Sequence, residues 1–161
     1  MNIFVLHLDP KLCAKYHCDK HVVKMILETA QILYSVHWMA GTCLPSNAYK
    51  LTHKNHPCSI WARTSLDNYI WLCKLGKHLC DEYSIRYCQV HKTSEHINWL
   101  MNNTPVIPEI GLTKWALAMP DIYKTDDVVD SYRKFYIGSK CIERGIVKYK
   151  LTTPEFLVPY V

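Results

Sequence analysis

The stretch LDNYIWLCKLGKHLCDEY, residues 66 to 83, constrains this chain most. Read as a helix, it places Leu66, Tyr69, Leu72, Cys73, Leu75, Leu79, Cys80 and Tyr83 around much of the circumference, and a helix apolar on most sides must be enclosed by other elements. It is the expected central helix. The helical pattern around it runs from Pro57 to about Gln89 and breaks near Thr64, where Ser65 can cap the second piece.

The flanking segments supply what would enclose it. Asp9-Pro10 suits a helix entry, because a proline in the first turn has no missing partner, and a short helix to about Tyr16 follows. A longer helix is expected from about Lys20 to Met39, stopping before Gly41, with Val22, Ile26, Ala30, Leu33 and Val36 at helical spacing on its core face. Residues 41–57 are rich in turn formers and read as a loop. A shorter helix, Ser94 to Met101, can start from Thr93, and the two prolines of NNTPVIPEIG favour irregular structure after it. Asp126 or Thr125 can cap a last helix through about Ile137, with Val128, Val129, Tyr132 and Phe135 or Tyr136 inward. No segment alternates with a two-residue period over several turns. The expected fold class is therefore all-α: a single compact helical domain spanning residues 1–161, with a long central helix and irregular loops.

Charge and cysteine usage narrow the function. A formal charge of +5 with nine further histidines favours anionic partners such as nucleic acid or nucleotides. No apolar run reaches the length of about 18 residues needed to span a membrane, and MNIFVLHLDP lacks the charged start and apolar core of a signal peptide. An intracellular, cytoplasmic or nuclear protein is expected, not a secreted or membrane one. None of the eight cysteines has the two-residue gap of a zinc ribbon or redox motif, so reduced, mostly buried thiols are expected.

The helix after Tyr16 carries a second stripe. His17, Lys20, His21, Lys24, Glu28 and Gln31 fall three and four residues apart and share one face. Lys20, His21 and Lys24 together suggest phosphate binding, although Lys24 and Glu28 also fit an exposed i, i+4 pair of small energetic weight. Lys50, His53, Lys54 and His56 would extend this patch if the loop folded back over the helix. His17 and His21 could share a metal with Cys13, Cys18, His53, His56 or Cys58, yet no pairing follows a known zinc spacing. No metal and no cofactor are expected.

Three blocks resemble one family. DKHVVKMILETAQIL (Asp19–Leu33) and NHPCSIW (Asn55–Trp61) resemble consecutive motifs of the pyrimidine-dimer DNA glycosylases of phage and bacteria, and SYRKFYIGSK (Ser131–Lys140) resembles the aromatic and basic stretch near the end of the phage enzymes. The resemblance implies a compact, all-helical, monomeric enzyme whose chain start lies in the active site. There, an α-amino group attacks C1′ of a damaged nucleotide, a helix carboxylate assists, and the resulting imine permits backbone cleavage. Carried onto this chain, it makes Met1 the amine and Asp19 or Glu28 the carboxylate. Lys20, His21, Lys24, Lys54, His56, Arg133, Lys134 and Lys140 become candidate phosphate contacts, with Trp61 and Tyr136 available for base stacking. Asp19 also fits an ordinary N-cap, and the aromatics also fit a core.

Elementary acid–base chemistry favours such a nucleophile. α-Amino groups titrate near about 7.7–8.0 against about 10.4 for lysine, so far more of the amine is neutral and able to attack at neutral pH. The chain departs from the phage pattern at Asn2, because those enzymes expose a small residue after methionine removal and asparagine is a poor context for that step. Either the Met1 amine substitutes or the lyase chemistry is absent. The first reading is a repair-type glycosylase and AP lyase acting on a damaged or modified pyrimidine in duplex DNA. The alternative is a non-enzymatic nucleotide or nucleic-acid binder on the same scaffold, and a metal-dependent nuclease is a third.

Overall fold

Local chemistry sets the helix boundaries in the computed structural model, which describes residues 1–161. Six α-helices occur: α1 (Pro10–Tyr16), α2 (Asp19–Ala40), α3 (Pro57–Thr64), α4 (Leu66–Tyr87), α5 (Ser94–Asn102) and α6 (Val128–Phe135). A π-helical segment, Tyr136–Glu143, continues α6, and 3-10 turns form at Asp121–Tyr123 and Glu155–Tyr160. No strand is present, as the all-α reading expects.

Asp9 accepts from the Lys11 and Leu12 amides at 2.8 and 2.9 Å and starts α1 with Pro10 in its first turn. Ser65 accepts from the Asp67 amide at 3.3 Å and starts α4. Two sequence-based expectations need correction. Asp19 is not an N-cap: Cys18 holds that position, and Asp19 lies inside the first turn of α2. The cap of α6 is Asp127, whose carboxylate accepts from the Asp130 amide at 2.7 Å, while the Thr125 hydroxyl donates to the Asp127 carbonyl.

The last helix also does not stop near Ile137. It widens into the π form, and the extra residue per turn buries Tyr136, Ser139, Lys140 and Cys141 together. Gly138 is required there, since a Cβ would lie 2.5 Å from Cε1 of Tyr123. Tyr123 in turn donates to Glu143 at 3.2 Å and so fastens the segment at its far end.

Helix α4 occupies the middle of one continuous apolar core. Its Tyr69, Leu72, Leu75 and Leu79 are buried, as are Val22, Ile26, Ala30, Leu33 and Val36 of α2. Gly76 lets α4 approach both neighbours: a Cβ would meet Ile97 of α5 at 2.9 Å and Thr29 of α2 at 3.1 Å. Into this core runs the extended start of the chain. Ile3, Phe4, Val5 and Leu6 are buried, and each such apolar side chain contributes about 1.5–3 kcal/mol.

Arg86 is the principal polar tie between elements. Its guanidinium is buried and makes five hydrogen bonds: to the Lys15 and His17 carbonyls, to Asp19 Oδ1 at 3.1 Å, and twice to Glu82 Oε2 at 2.8 and 3.0 Å. These uses exhaust its N–H donors and bind α4 to the α1–α2 junction. Arg86→Ala leaves two carboxylates and two carbonyls unpaired. It is expected to lower the unfolding free energy by about 3–5 kcal/mol, read from the urea midpoint; a loss within about 1 kcal/mol would refute the tie.

Two buried histidines make stability depend on pH. The His17 Nδ1 lies 2.7 Å from the Cys13 carbonyl, which can only accept, so Nδ1 carries the proton and the buried Nε2 has no partner. Burial lowers both His17 and His37 to about 4. Below the usual value of about 6.5 the unfolded chain binds protons that the fold refuses, so stability present at neutral pH is lost as pH falls from about 6.5 toward 4. The expected slope is at most about 1.4 kcal/mol per pH unit for His17. Urea titrations at stepped pH check it, and His17→Gln should reduce the slope by up to that amount while the shares of the other buried histidines remain.

Candidate active site

The polar stripe of α2 is partly buried rather than wholly solvated. His21 and Glu28 are 5% and 9% exposed, and only Lys20 and Lys24 reach solvent freely. The chain start lies over this stripe. The Met1 α-amino nitrogen is 3.7 Å from Glu28 Oε2, the Asn2 amide donates to the same oxygen at 3.1 Å, and Lys24 Nζ reaches Oε1 at 3.1 Å. Glu28 therefore holds a carboxylate between two cations at the edge of the core.

Asn2 is what holds the chain start there. Its side-chain amide donates to the Ala118 carbonyl at 2.9 Å, and its oxygen accepts from the Ile3 amide at 2.8 Å and lies 3.2 Å from the Tyr132 hydroxyl. The Cys58 thiol also contacts that oxygen at 3.4 Å; burial pushes this thiol up to about 11, so it serves as a donor and not as a thiolate. The Met1 side chain is 3% exposed and touches Ser59 of α3, which leaves its amine directed at Glu28. His56 stands close enough that burial first, and then the positive chain terminus and His53, lower its pKa.

Met1, Asn2 and Glu28 open onto a cleft of about 260 Å³, which Phe4, Lys20, His21, Lys24, Met25, Lys140, Arg144 and Ile146 complete. Its cations outnumber its one carboxylate. A larger hollow of about 470 Å³ lies elsewhere, but there Asp9 and Asp67 offset Lys11 and Lys74, so it presents no excess of charge for an anion. Within the cleft the His21 ring stacks on Phe4, with centroids 4.6 Å apart. The Tyr136 hydroxyl accepts from the Cys18 amide at 2.9 Å and has His21 Nδ1 at 2.8 Å as the partner for its own proton. Burial, followed by the charges of His17, Lys140 and Lys24, lowers His21 to about 3. Its ring is consequently neutral at pH 7 and offers a hydrogen bond, not the positive charge expected from sequence.

The remaining sequence candidates lie elsewhere. Asp19 is bound to Arg86 and does not line the cleft, which leaves Glu28 as the carboxylate beside the amine. Trp61 is 4% exposed and stacks on Trp115 at 4.5 Å, and Tyr136 is fully buried, so neither presents a face for a base. Arg133 donates to the Leu6 carbonyl and lies over the Phe156 ring. Lys134 pairs with Asp130 at 2.9 Å, and Lys54 is exposed in the loop before α3. The sequence reading passed over Phe4, Met25, Arg144 and Ile146. Arg144 was detectable as the next cation four residues beyond Lys140, had the helix been continued past Ile137.

No helix is long and apolar enough to cross a membrane. No curated protein and no solved structure matches the chain. A family model described as pyrimidine dimer DNA glycosylase matches residues 1–96, a span that includes the chain start, all of α2 and Glu28. With more than half of its 161 residues matched, the chain belongs to the pyrimidine dimer DNA glycosylase family, a repair-type family whose substrate is DNA.

Proposed function

We propose that the protein is a DNA glycosylase with AP lyase activity that acts on a damaged or modified pyrimidine in duplex DNA through an amine nucleophile. One observation carries this reading: the Met1 amine lies 3.7 Å from the buried Glu28 carboxylate at the mouth of a cation-lined cleft. The neutral amine would attack C1′ as the base departs. Glu28 would stabilise the positive charge developing on the sugar, which a carboxylate does strongly where water is excluded. A damaged pair is already easier to extrude from the stack, which contributes selectivity before the bond breaks.

Lys20, Lys24, Lys140 and Arg144 would hold the backbone phosphates beside the extruded nucleotide. Two of the four lie beyond residue 96, so the site we propose draws on residues inside the family match and after it, and treats residues 1–161 as one monomeric unit. Asn2 does not prevent the chemistry in this reading, because its side chain anchors the terminus and leaves the Met1 amine as the attacking group.

Glu28→Gln keeps the size of the side chain and removes its charge. On duplex DNA with a cyclobutane dimer it is expected to reduce turnover about 10²-fold or more while leaving affinity within a few-fold, as for loss of one positioned electrostatic group. Unchanged turnover would remove Glu28 from the mechanism, and tight binding without turnover by the unaltered protein would favour a non-enzymatic binder. The phosphate role is read from salt dependence: Lys20→Ala should reduce the slope of log affinity against log salt by about 0.9. An unaltered slope would place Lys20 outside the interface.

A further inference from the structure

Lys140 differs from every other cation of the cleft. Lys24 is 65% exposed and ion-paired, and Lys20 and Arg144 stand in solvent. Lys140 is 8% exposed, with its ammonium nitrogen 4.5 Å from the centroid of the Phe135 ring and 5.7 Å from that of Phe4. Its nearest acids are otherwise engaged: Glu28 with Met1 and Lys24, and Glu143 with the Tyr123 hydroxyl. The π-helical turn places it there, and it lines the same cleft as Met1 and Glu28.

We propose that the ε-amino group of Lys140 is a second imine-forming amine of this site, taking the C1′ aldehyde of an abasic deoxyribose in DNA. The proposal rests on the amine chemistry of the preceding section and adds a residue to it. A lysine becomes nucleophilic when it is desolvated or set beside other cations, and Lys140 is both. Burial, then Arg144 and Lys24, lower its pKa, so its neutral form is more populated than that of an exposed lysine. The aromatic rings still accept the charged form weakly, which lets one side chain both attract the DNA and lose a proton.

The step balances without a further reactant. The Nζ lone pair adds to C1′ of the ring-opened sugar, the carbonyl π electrons move to oxygen, and that oxygen takes up a proton. The carbinolamine then loses water, leaving a protonated C1′=Nζ bond between DNA and Lys140. Borohydride delivers hydride to C1′ and converts this bond to a stable secondary amine.

The test uses the whole chain and a duplex carrying one abasic site, treated with borohydride, digested and mapped by mass spectrometry. The expected result is the reduced sugar adduct on the peptide containing Lys140, alone or beside an adduct on Met1. Lys140→Arg retains the charge but supplies no neutral amine; it should keep the helical circular dichroism spectrum and lose that adduct even at DNA concentrations that saturate the variant. An adduct confined to Met1, with Lys140→Arg trapped as well as the unaltered protein, overturns the role of Lys140 and leaves the amine reading intact. Absence of any adduct on the unaltered protein overturns both.

Discussion

The rest of the structure depends on the burial of the first residues of the chain. Four consecutive apolar side chains, Ile3 to Leu6, enter the core, but an extended segment surrounded by helices has no sheet partner for its backbone. The structure meets that need with side chains from three elements, and a fourth packs against the segment. Cys13 of α1 donates to the Phe4 carbonyl, Arg133 of α6 to Leu6 and Trp71 of α4 to Leu8, while Phe4 stacks on His21 of α2. Each buried carbonyl left unpaired would cost about 1–3 kcal/mol, so these contacts fix the segment's depth and direction. The Met1 amine reaches Glu28 because the next residues cannot slide.

Positive and negative groups are brought together where water is scarce, which changes what the same residues mean. Lys24 and Glu28 on an open helix would form a pair of small energetic weight. Here Glu28 is buried and also faces the chain terminus, and electrostatic interactions strengthen as the surrounding dielectric falls. Asp19 shows the opposite outcome on the same helix. It belongs to the Arg86 hub, an interaction that secures the α1–α2 junction and keeps this carboxylate away from the cleft.

The C-terminal third completes the cleft through one local departure from regular helix geometry. A continued α-helix would distribute residues 136 to 144 around a 3.6-residue period. The π turn instead turns Lys140 inward between Phe135 and Phe4, with Gly138 making room for Tyr123 and Glu143 securing it. Nearby, the backbone carbonyl of Lys148 accepts from the Asp19 amide at 2.9 Å, so the segment leaving this turn returns to the start of α2. The family match ends before any of this, at residue 96.

Helix content, the core stripe of α2 and the central position of α4 follow from the sequence by itself, since they depend on spacing along one chain and on apolar area that must leave water. The same spacing placed Lys20, Lys24 and Glu28 on one face, and the motif around them pointed to the family. Which carboxylate meets the amine was not legible there, because Asp19 and Glu28 both lie on α2 and only the partner across the fold, Arg86 or Met1, separates them. The burial of Trp61 and Tyr136, the neutrality of His21 and the arrival of Lys140 and Arg144 were likewise decided by tertiary structure. Their reason is physical: periodicity records which way a side chain points from its own helix, whereas charge state and accessibility depend on what other segments place against it.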